Sequence, residues 1–426
     1  MLRRITVGLF YLFVFAYFFE AVEFGLPLHH TTLLGGLLVL TAAIQPRINF
    51  VRPPAALRFF AAYLVACTLL GIGTGGNDGG DLLQRLFVFT QLLVLFWITY
   101  SLTMSERVSV GFVVVLALGS LAASATQLSG LTSTPVDNSA GRLTMLDNDP
   151  NSVAVTLSLG LLSVIGLLFG QVKPARLFQP FALLLCPLLL LIAAAVVATG
   201  SRGGFMALGA ALVTLALPPA STLIKVRNSV FVAMGIGLLC WFATQSDVFS
   251  RRFERSIDSG ALSGRDQIYP TAWEMFLEKP LFGWGPIANT RNLSARLHVS
   301  GRAESQFGGH LNLQTHNQLL YVLTATGIAG AIPFVIGTWM CVASAWRARS
   351  GSFGVLPFAL VIAVIVACMS VDAIYWKHHW LILAFGLARG HSLKRENARD
   401  GRAVSEDAGF CSNPLTRRQM ARGFDG

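Results

Sequence analysis

The chain is a succession of long apolar stretches separated by short polar ones, and this pattern decides what it can fold into. The stretches fall near 5–26, 29–44, 55–72, 82–100, 108–129, 151–170, 177–198, 203–217, 228–244, 317–345, 354–371 and 376–389. A bilayer core is about 30 Å thick, and about 20 apolar residues cross it as a helix. Backbone groups in lipid must be satisfied internally, which leaves helices or closed barrels. The stretches do not alternate with period two, so they read as helices. Only 12% of the residues are charged, about half the share usual in a soluble domain. The expected fold is therefore all-α: a polytopic integral membrane protein of about twelve transmembrane helices, ten at the fewest. The second and last stretches are short for a membrane span.

The charges fix an orientation. With the N-terminus in the cytoplasm, the inner segments carry Arg47, Arg52, Arg58, Arg107, Lys173, Arg176, Lys225, Arg227, Arg347 and Arg349. The short outer segments carry only Arg85, Arg142, Arg202 and Lys377. This is the excess of inner basic residues that sets topology. The net charge of +11 is accounted for in this way, and no nucleic-acid-binding module or partner is expected. Arg3 and Arg4 precede the first stretch without a small-residue cleavage site, so it reads as an uncleaved helix. Five of the six cysteines lie in apolar stretches and Cys411 lies in the tail. No CxxC pair suggests zinc or a disulfide framework. Residues 1–389 read as one multi-span domain. Residues 390–426 read as a basic, disordered cytoplasmic tail, so both termini are expected inside. There is no internal repeat.

Two polar segments interrupt the short-loop rhythm on the outer side: 130–150 and, much longer, 245–316. A loop of that length usually has a function. Within it, Ile268, Ala272, Trp273, Phe276 and Leu277 recur at helical spacing, which predicts an amphipathic helix on the outer membrane face from Asp266 to Lys279. Pro280–Pro286, with sequence PLFGWGP, predicts a sharp turn.

Four outward constellations carry residues capable of chemistry. Gly200-Ser201-Arg202-Gly203-Gly204 opens the eighth stretch. An arginine at a membrane border either serves as an interfacial anchor or belongs to an anion site made with the helix start. Ser263-Gly264-Arg265-Asp266 offers a second guanidinium, which can grip phosphate oxygens with two bonds or form a weak surface pair. Thr315-His316-Asn317-Gln318 ends the long loop. His316 is suited to take a proton near neutrality, or else to serve as a capping or interfacial histidine, and Asn317 to orient it or to bind a sugar hydroxyl. Gly141-Arg142-Leu143 precedes Asp147-Asn148-Asp149-Pro150-Asn151, where Asp149 or Asn151 is placed to cap the sixth helix. The role of Arg142 stays open. His310 competes with His316. Glu20 and Glu23 read as an interfacial or intraprotein pair, His378 and His379 as interfacial, and Asp372 as placed to pair with Lys377. No DxD motif or outward carboxylate cluster supports Mg²⁺, so neither metal nor cofactor is expected.

The order of these pieces resembles the O-antigen ligase and polymerase family of bacterial inner-membrane proteins. The resemblance rests on GRLTMLDNDPNSVAV at 141–155, GSRGGFMAL at 200–208, GRDQIYPTAWEMFLEKPLFGWGP at 264–286 and THNQLLYVLTATGIAGAIPF at 315–334. It is concentrated in 141–334. It implies a periplasm-facing glycosyltransferase that moves a glycan from a polyprenyl-diphosphate carrier to an acceptor hydroxyl. The acceptor would be another glycan repeat, a lipid A core or a protein. It also implies that Arg202 and Arg265 engage the diphosphate and that His316 acts on the acceptor; beside these, Arg142, Asn151 and Asn317 are candidate substrate contacts. Two other classes compete: a secondary transporter of a small anion and a non-catalytic membrane scaffold. A transporter should carry charges near the midplane and repeated halves. A scaffold would not require Arg202, Arg265 and His316 to converge.

Overall fold

The computed structural model describes residues 2–22, 29–74, 79–135, 143–145, 149–168, 182–218, 222–247, 265–299 and 313–411, with isolated positions 172, 250 and 254. The described residues are almost entirely helical. In chain order the helices are α1 (Leu2–Tyr17), α2 (His30–Ile44), α3 (Pro46–Asn49), α4 (Ala55–Thr74), α5 (Gly79–Thr103), α6 (Glu106–Leu128), α7 (Pro150–Leu168), α8 (Ala182–Ala198), α9 (Arg202–Thr214) and α10 (Thr222–Gln245). Next come α11 (Arg265–Glu278), α12 (Ala288–Val299), α13 (Gln318–Ala348), α14 (Leu356–Ala367) and α15 (Lys377–Cys411). Two three-residue strands, β1 (Ser133–Pro135) and β2 (Leu143–Met145), pair antiparallel between α6 and α7.

Each apolar stretch of the sequence contains a helix. Among the described residues, six helices are long and apolar enough to cross a membrane: α4, α5, α6, α7, α10 and α13. The remaining apolar helices, among them α2 and α14, are shorter. The molecule is a helical membrane protein on these grounds.

An aromatic cluster marks the meeting of α4, α5, α13 and α15. Trp380 is fully buried, with Phe60 and Phe89 edge-on to it at centroid distances of 4.9 and 5.3 Å. Such edge-to-face pairs add to area burial. Gly337 on α13 lies so close to Phe60 that a Cβ would fall 2.8 Å from its ring, so the helices approach through a missing side chain.

The PLFGWGP turn is fastened to α13 by backbone alone. At Gly327 the helix breaks, with φ 60° and ψ −163°. The break frees the carbonyls of Thr324 and Ala325, which accept from the amides of Trp284 and Gly285 at 2.8 and 2.9 Å. Past the break, the Ile328 amide donates to the Pro280 carbonyl at 2.8 Å. A Cβ on Gly327 would lie 2.4 Å from the Leu281 carbonyl group, and a positive φ is costly with a side chain. The turn read from the sequence is thus half of a clasp, and Gly327 is the other half.

Several expectations change. The helix expected along 266–279 forms as α11, but its face is not given over to lipid alone. Ile268, Ala272 and Met275 bury against Leu293 and Leu297 of α12, a helix the sequence pattern did not reveal. Trp273 and Leu277 remain exposed on another side. The last helix does not stop at 389. Gly390 packs onto Ser344, Ser392 is buried, and the helix runs to Cys411, through much of the stretch expected as a disordered tail. Arg389 is buried. It donates to Ser109 Oγ at 2.9 Å and stacks on Phe353, so neutral acceptors and a ring face hold its charge. His378 and His379 are likewise interior rather than interfacial.

Candidate active site

The site forms where the starts of α7, α9, α11 and α13 meet the chain leaving α14. Each chemistry-bearing side chain is held there by a helix end. Asp149 accepts from the Asn151 amide at 3.1 Å and caps α7, as its position in the sequence suggested. Asn151 turns its side chain across to α9, accepting from Ser201 Oγ at 2.8 Å. Ser201 caps α9 by accepting from the Gly204 amide at 3.1 Å. This run of bonds from Asp149 to Ser201 fixes the start of α9, whose first residue is Arg202. The N-terminus of a helix contributes partial positive charge of its own.

Arg265 opens α11 and donates to the Ser370 carbonyl at 2.8 Å. Ser370 also abuts α9: a Cβ on Gly203 would meet its hydroxyl at 2.1 Å. One serine therefore touches both arginine-bearing segments, and the Arg265 charge is felt at Arg202. Two guanidiniums near each other repel unless an anion lies between or beside them.

His316 precedes α13 in a left-handed conformation, φ 50°, the one described non-glycine residue with positive φ. Such strain persists only where surroundings impose it. Here Thr315 Oγ1 donates to Asp372 Oδ1 at 2.7 Å and the Asn317 amide donates to the same oxygen at 3.0 Å. From the other side, Tyr269 Oη donates to the His316 carbonyl at 3.1 Å. Asn317 uses its side-chain oxygen to cap α13 through the Leu320 amide at 3.1 Å.

Asp372 is the residue whose part the sequence misassigned. It does not pair with Lys377, whose ammonium binds Glu20 instead. Asp372 is clamped under the His316 turn, and its Oδ2 is buried without a hydrogen-bond donor among the described residues. Burial raises its carboxyl above the usual range, against the Thr315 bond and the His316 charge. Burial also holds the His316 imidazole below its ordinary value. The Asp372 charge opposes that, Arg265 adds to it, and Asp149 opposes it again. At neutral pH the imidazole is thus a free base with two carboxylates and a guanidinium in electrostatic reach. Two hydrogen-bond donors two residues apart, Thr315 and Asn317, were the available signal for a buried acceptor, but nothing in the spacing named Asp372.

Arg202, Arg265 and His316 therefore converge, together with Asn151 and Asn317. Arg142, Glu23 and His310 lie outside the described residues. No group of three or more His, Cys, Asp or Glu side chains suited to a metal occurs among the described residues.

Residues 187–335 match the O-antigen ligase family. The family read from the sequence is the family matched. The stretch spans about a third of the chain and takes in Arg202, Arg265 and His316. Asp149, Asn151 and Asp372 lie beyond it, so the O-antigen ligase stretch is completed by α7 and by the turn after α14. A comparison with curated proteins finds no match. The match supports a polysaccharide-related ligase or polymerase in general terms, carried on apolar helices of membrane length.

Proposed function

We propose that the protein moves a glycan from a polyprenyl-diphosphate carrier to an acceptor hydroxyl at the periplasmic face of a bacterial inner membrane, with both termini in the cytoplasm. The observation that carries this reading is the convergence of two arginines and a strained, neutral histidine at one end of an apolar bundle. The acceptor oxygen attacks the anomeric carbon, and the bond from that carbon to the diphosphate oxygen breaks. The electron pair leaves with the diphosphate, and the acceptor proton passes to His316.

Lipid diphosphate is already a competent leaving group, so the protein's task is to neutralise growing charge and to position the acceptor. Arg202, Arg265 and the N-terminus of α9 answer the first need. His316, with its depressed pKa and its backbone clamped by Asp372 and Tyr269, answers the second. Asp372 then acts as a positioning residue: it touches the His316 turn and not the substrate. The apolar helices suit the polyprenyl tail. Neither transport nor scaffolding accounts for the meeting of these groups at a bundle end.

The test is the glycan profile of a deletion strain complemented by wild type or by His316→Ala, read in surface lipopolysaccharide and in carrier-linked material. Long chains held on the carrier above bare core would make the protein a ligase. Single repeats without long chains would make it a polymerase. A profile unchanged by the deletion would remove lipopolysaccharide assembly from its functions, and wild-type chains restored by His316→Ala would remove the proposed base.

A further inference from the structure

The proposed chemistry leaves the other end of α7–α10 unused. There the four helices border a cavity of about 340 Å³, within the ~300–1,000 Å³ range of small-molecule sites. Ile165, Leu189, Leu212, Leu215 and Phe231 line it, together with Arg227 and Asn228. Leu212 and Leu215 follow Arg202 along α9 by ~15–20 Å at 1.5 Å per residue, so the cavity belongs to the border opposite the candidate site. Gly235 lines it, and a Cβ there would meet no protein atom within 4 Å. Its outer wall, α10, is the least buried of the long apolar helices.

The wall carries a charge that the apolar interior does not need. Arg227 is exposed and its guanidinium donates to Asn228 Oδ1 at 3.3 Å. Asn228 in turn donates to the Leu215 carbonyl at 3.3 Å, which ties the polar pair to the end of α9. No carboxylate among the described residues pairs with Arg227, and Lys225 stands two residues before it. We propose that this cavity holds an anionic phospholipid, one acyl chain between α7 and α10 and the phosphate on Arg227. Guanidinium forks suit phosphate oxygens, and basic pockets between transmembrane helices select anionic head groups. The carrier is the poorer occupant. Its diphosphate belongs at the Arg202 end, and the remote end of a polyprenyl tail brings no charge to Arg227.

The experiment is native mass spectrometry of the purified full-length protein in neutral detergent, titrated with phosphatidylglycerol, phosphatidylcholine or undecaprenyl phosphate. Wild type should retain phosphatidylglycerol about five-fold better than phosphatidylcholine. Arg227→Ala should erase that preference and Arg227→Lys should largely keep it, which separates lost charge from lost fold. Gly235→Phe, which fills the cavity, should lower retention of phosphatidylglycerol while thermal unfolding stays near wild type. Equal retention of the two phospholipids by wild type, or a preference that survives Arg227→Ala, would overturn the proposal. So would undecaprenyl phosphate displacing phosphatidylglycerol from wild type, an outcome that gives the cavity to the carrier tail and leaves the proposed reaction standing.

Discussion

Two histidine regions border the chain that links α14 to α15: His378 and His379 are fully buried at the start of α15, and His316 is half-buried over Asp372. His378 and His379 sit inside the bundle with neutral partners. His378 Nδ1 bonds the Tyr17 hydroxyl at 2.7 Å, and His379 lies near Gln318 and Cys368 at 3.4 and 3.5 Å. Their backbone is helical from the start of α15 onward. His316 has a left-handed backbone, a carboxylate under its turn and guanidinium charge in reach. Burial alone does not mark a reactive histidine. Mixed charge around it and strain held from several sides do.

The sharpest way to break this contrast is to remove each imidazole. His316→Ala should lower glycan transfer by about 10²–10⁴-fold, the usual contribution of a general base, with unfolding temperature little changed. His379→Phe should do the reverse, leaving transfer within about ten-fold while lowering stability through a polar interior left unpartnered. Equal losses of transfer in both variants would erase the distinction between the two regions.

Next in size come the arginines. Arg202→Ala or Arg265→Ala should each cost about 10²–10³-fold in turnover, as loss of one preorganised charge does. The double variant should fall short of the product of the two, because the guanidiniums act on one diphosphate. The readout is initial rate with purified carrier-linked donor in both single variants and the double. Full multiplicativity would mean that the two arginines serve separate ligands.

How far the sequence could anticipate this contrast follows from its physics. Helix positions were legible because apolar runs of membrane length without period-two alternation leave the helix as their stable form. Arg202, Arg265 and His316 were legible because polar groups at membrane borders are scarce and stand out. Asp372 was not, since its partners Thr315 and Asn317 lie more than fifty positions earlier and a nearby lysine offered a simpler match. The interior placement of His378 and His379 was hidden for the same reason: Tyr17 and Thr156 reach His378 from α1 and α7, and Gln318 reaches His379 from α13. The clasp at Gly327 was half visible, as a Pro/Gly turn whose counterpart is a glycine inside a helix.

Gly327→Ala separates damage to the frame from damage to the chemistry. A side chain at φ 60° that also runs into the Leu281 backbone should destabilise the protein by ~1–3 kcal/mol. Transfer should fall as α13 shifts, because Asn317 and Gln318 at its start serve the two histidine regions alike. The shape of the pH–rate profile should stay that of wild type, since no titrating group is altered. Thermal unfolding and a pH series on the same preparation check both halves.

Asp372→Asn gives the smallest effect and the finest discrimination. The Asp372 charge raises the His316 pKa. Removing it lowers that pKa further below the ordinary imidazole value of about 6.5, so the free base persists to lower pH. The acid limb of the pH–rate profile should therefore move down by a fraction of a unit. The plateau should fall by roughly ten-fold as the clamp on the His316 turn weakens. Arg265→Ala should move the same limb upward, because that guanidinium lowers the His316 pKa. Opposite displacements identify His316 as the titrating base and Asp372 as its positioning partner. A limb that stays fixed in both variants would mean that the rate follows some other group, and the two histidine regions would then differ in geometry but not in role.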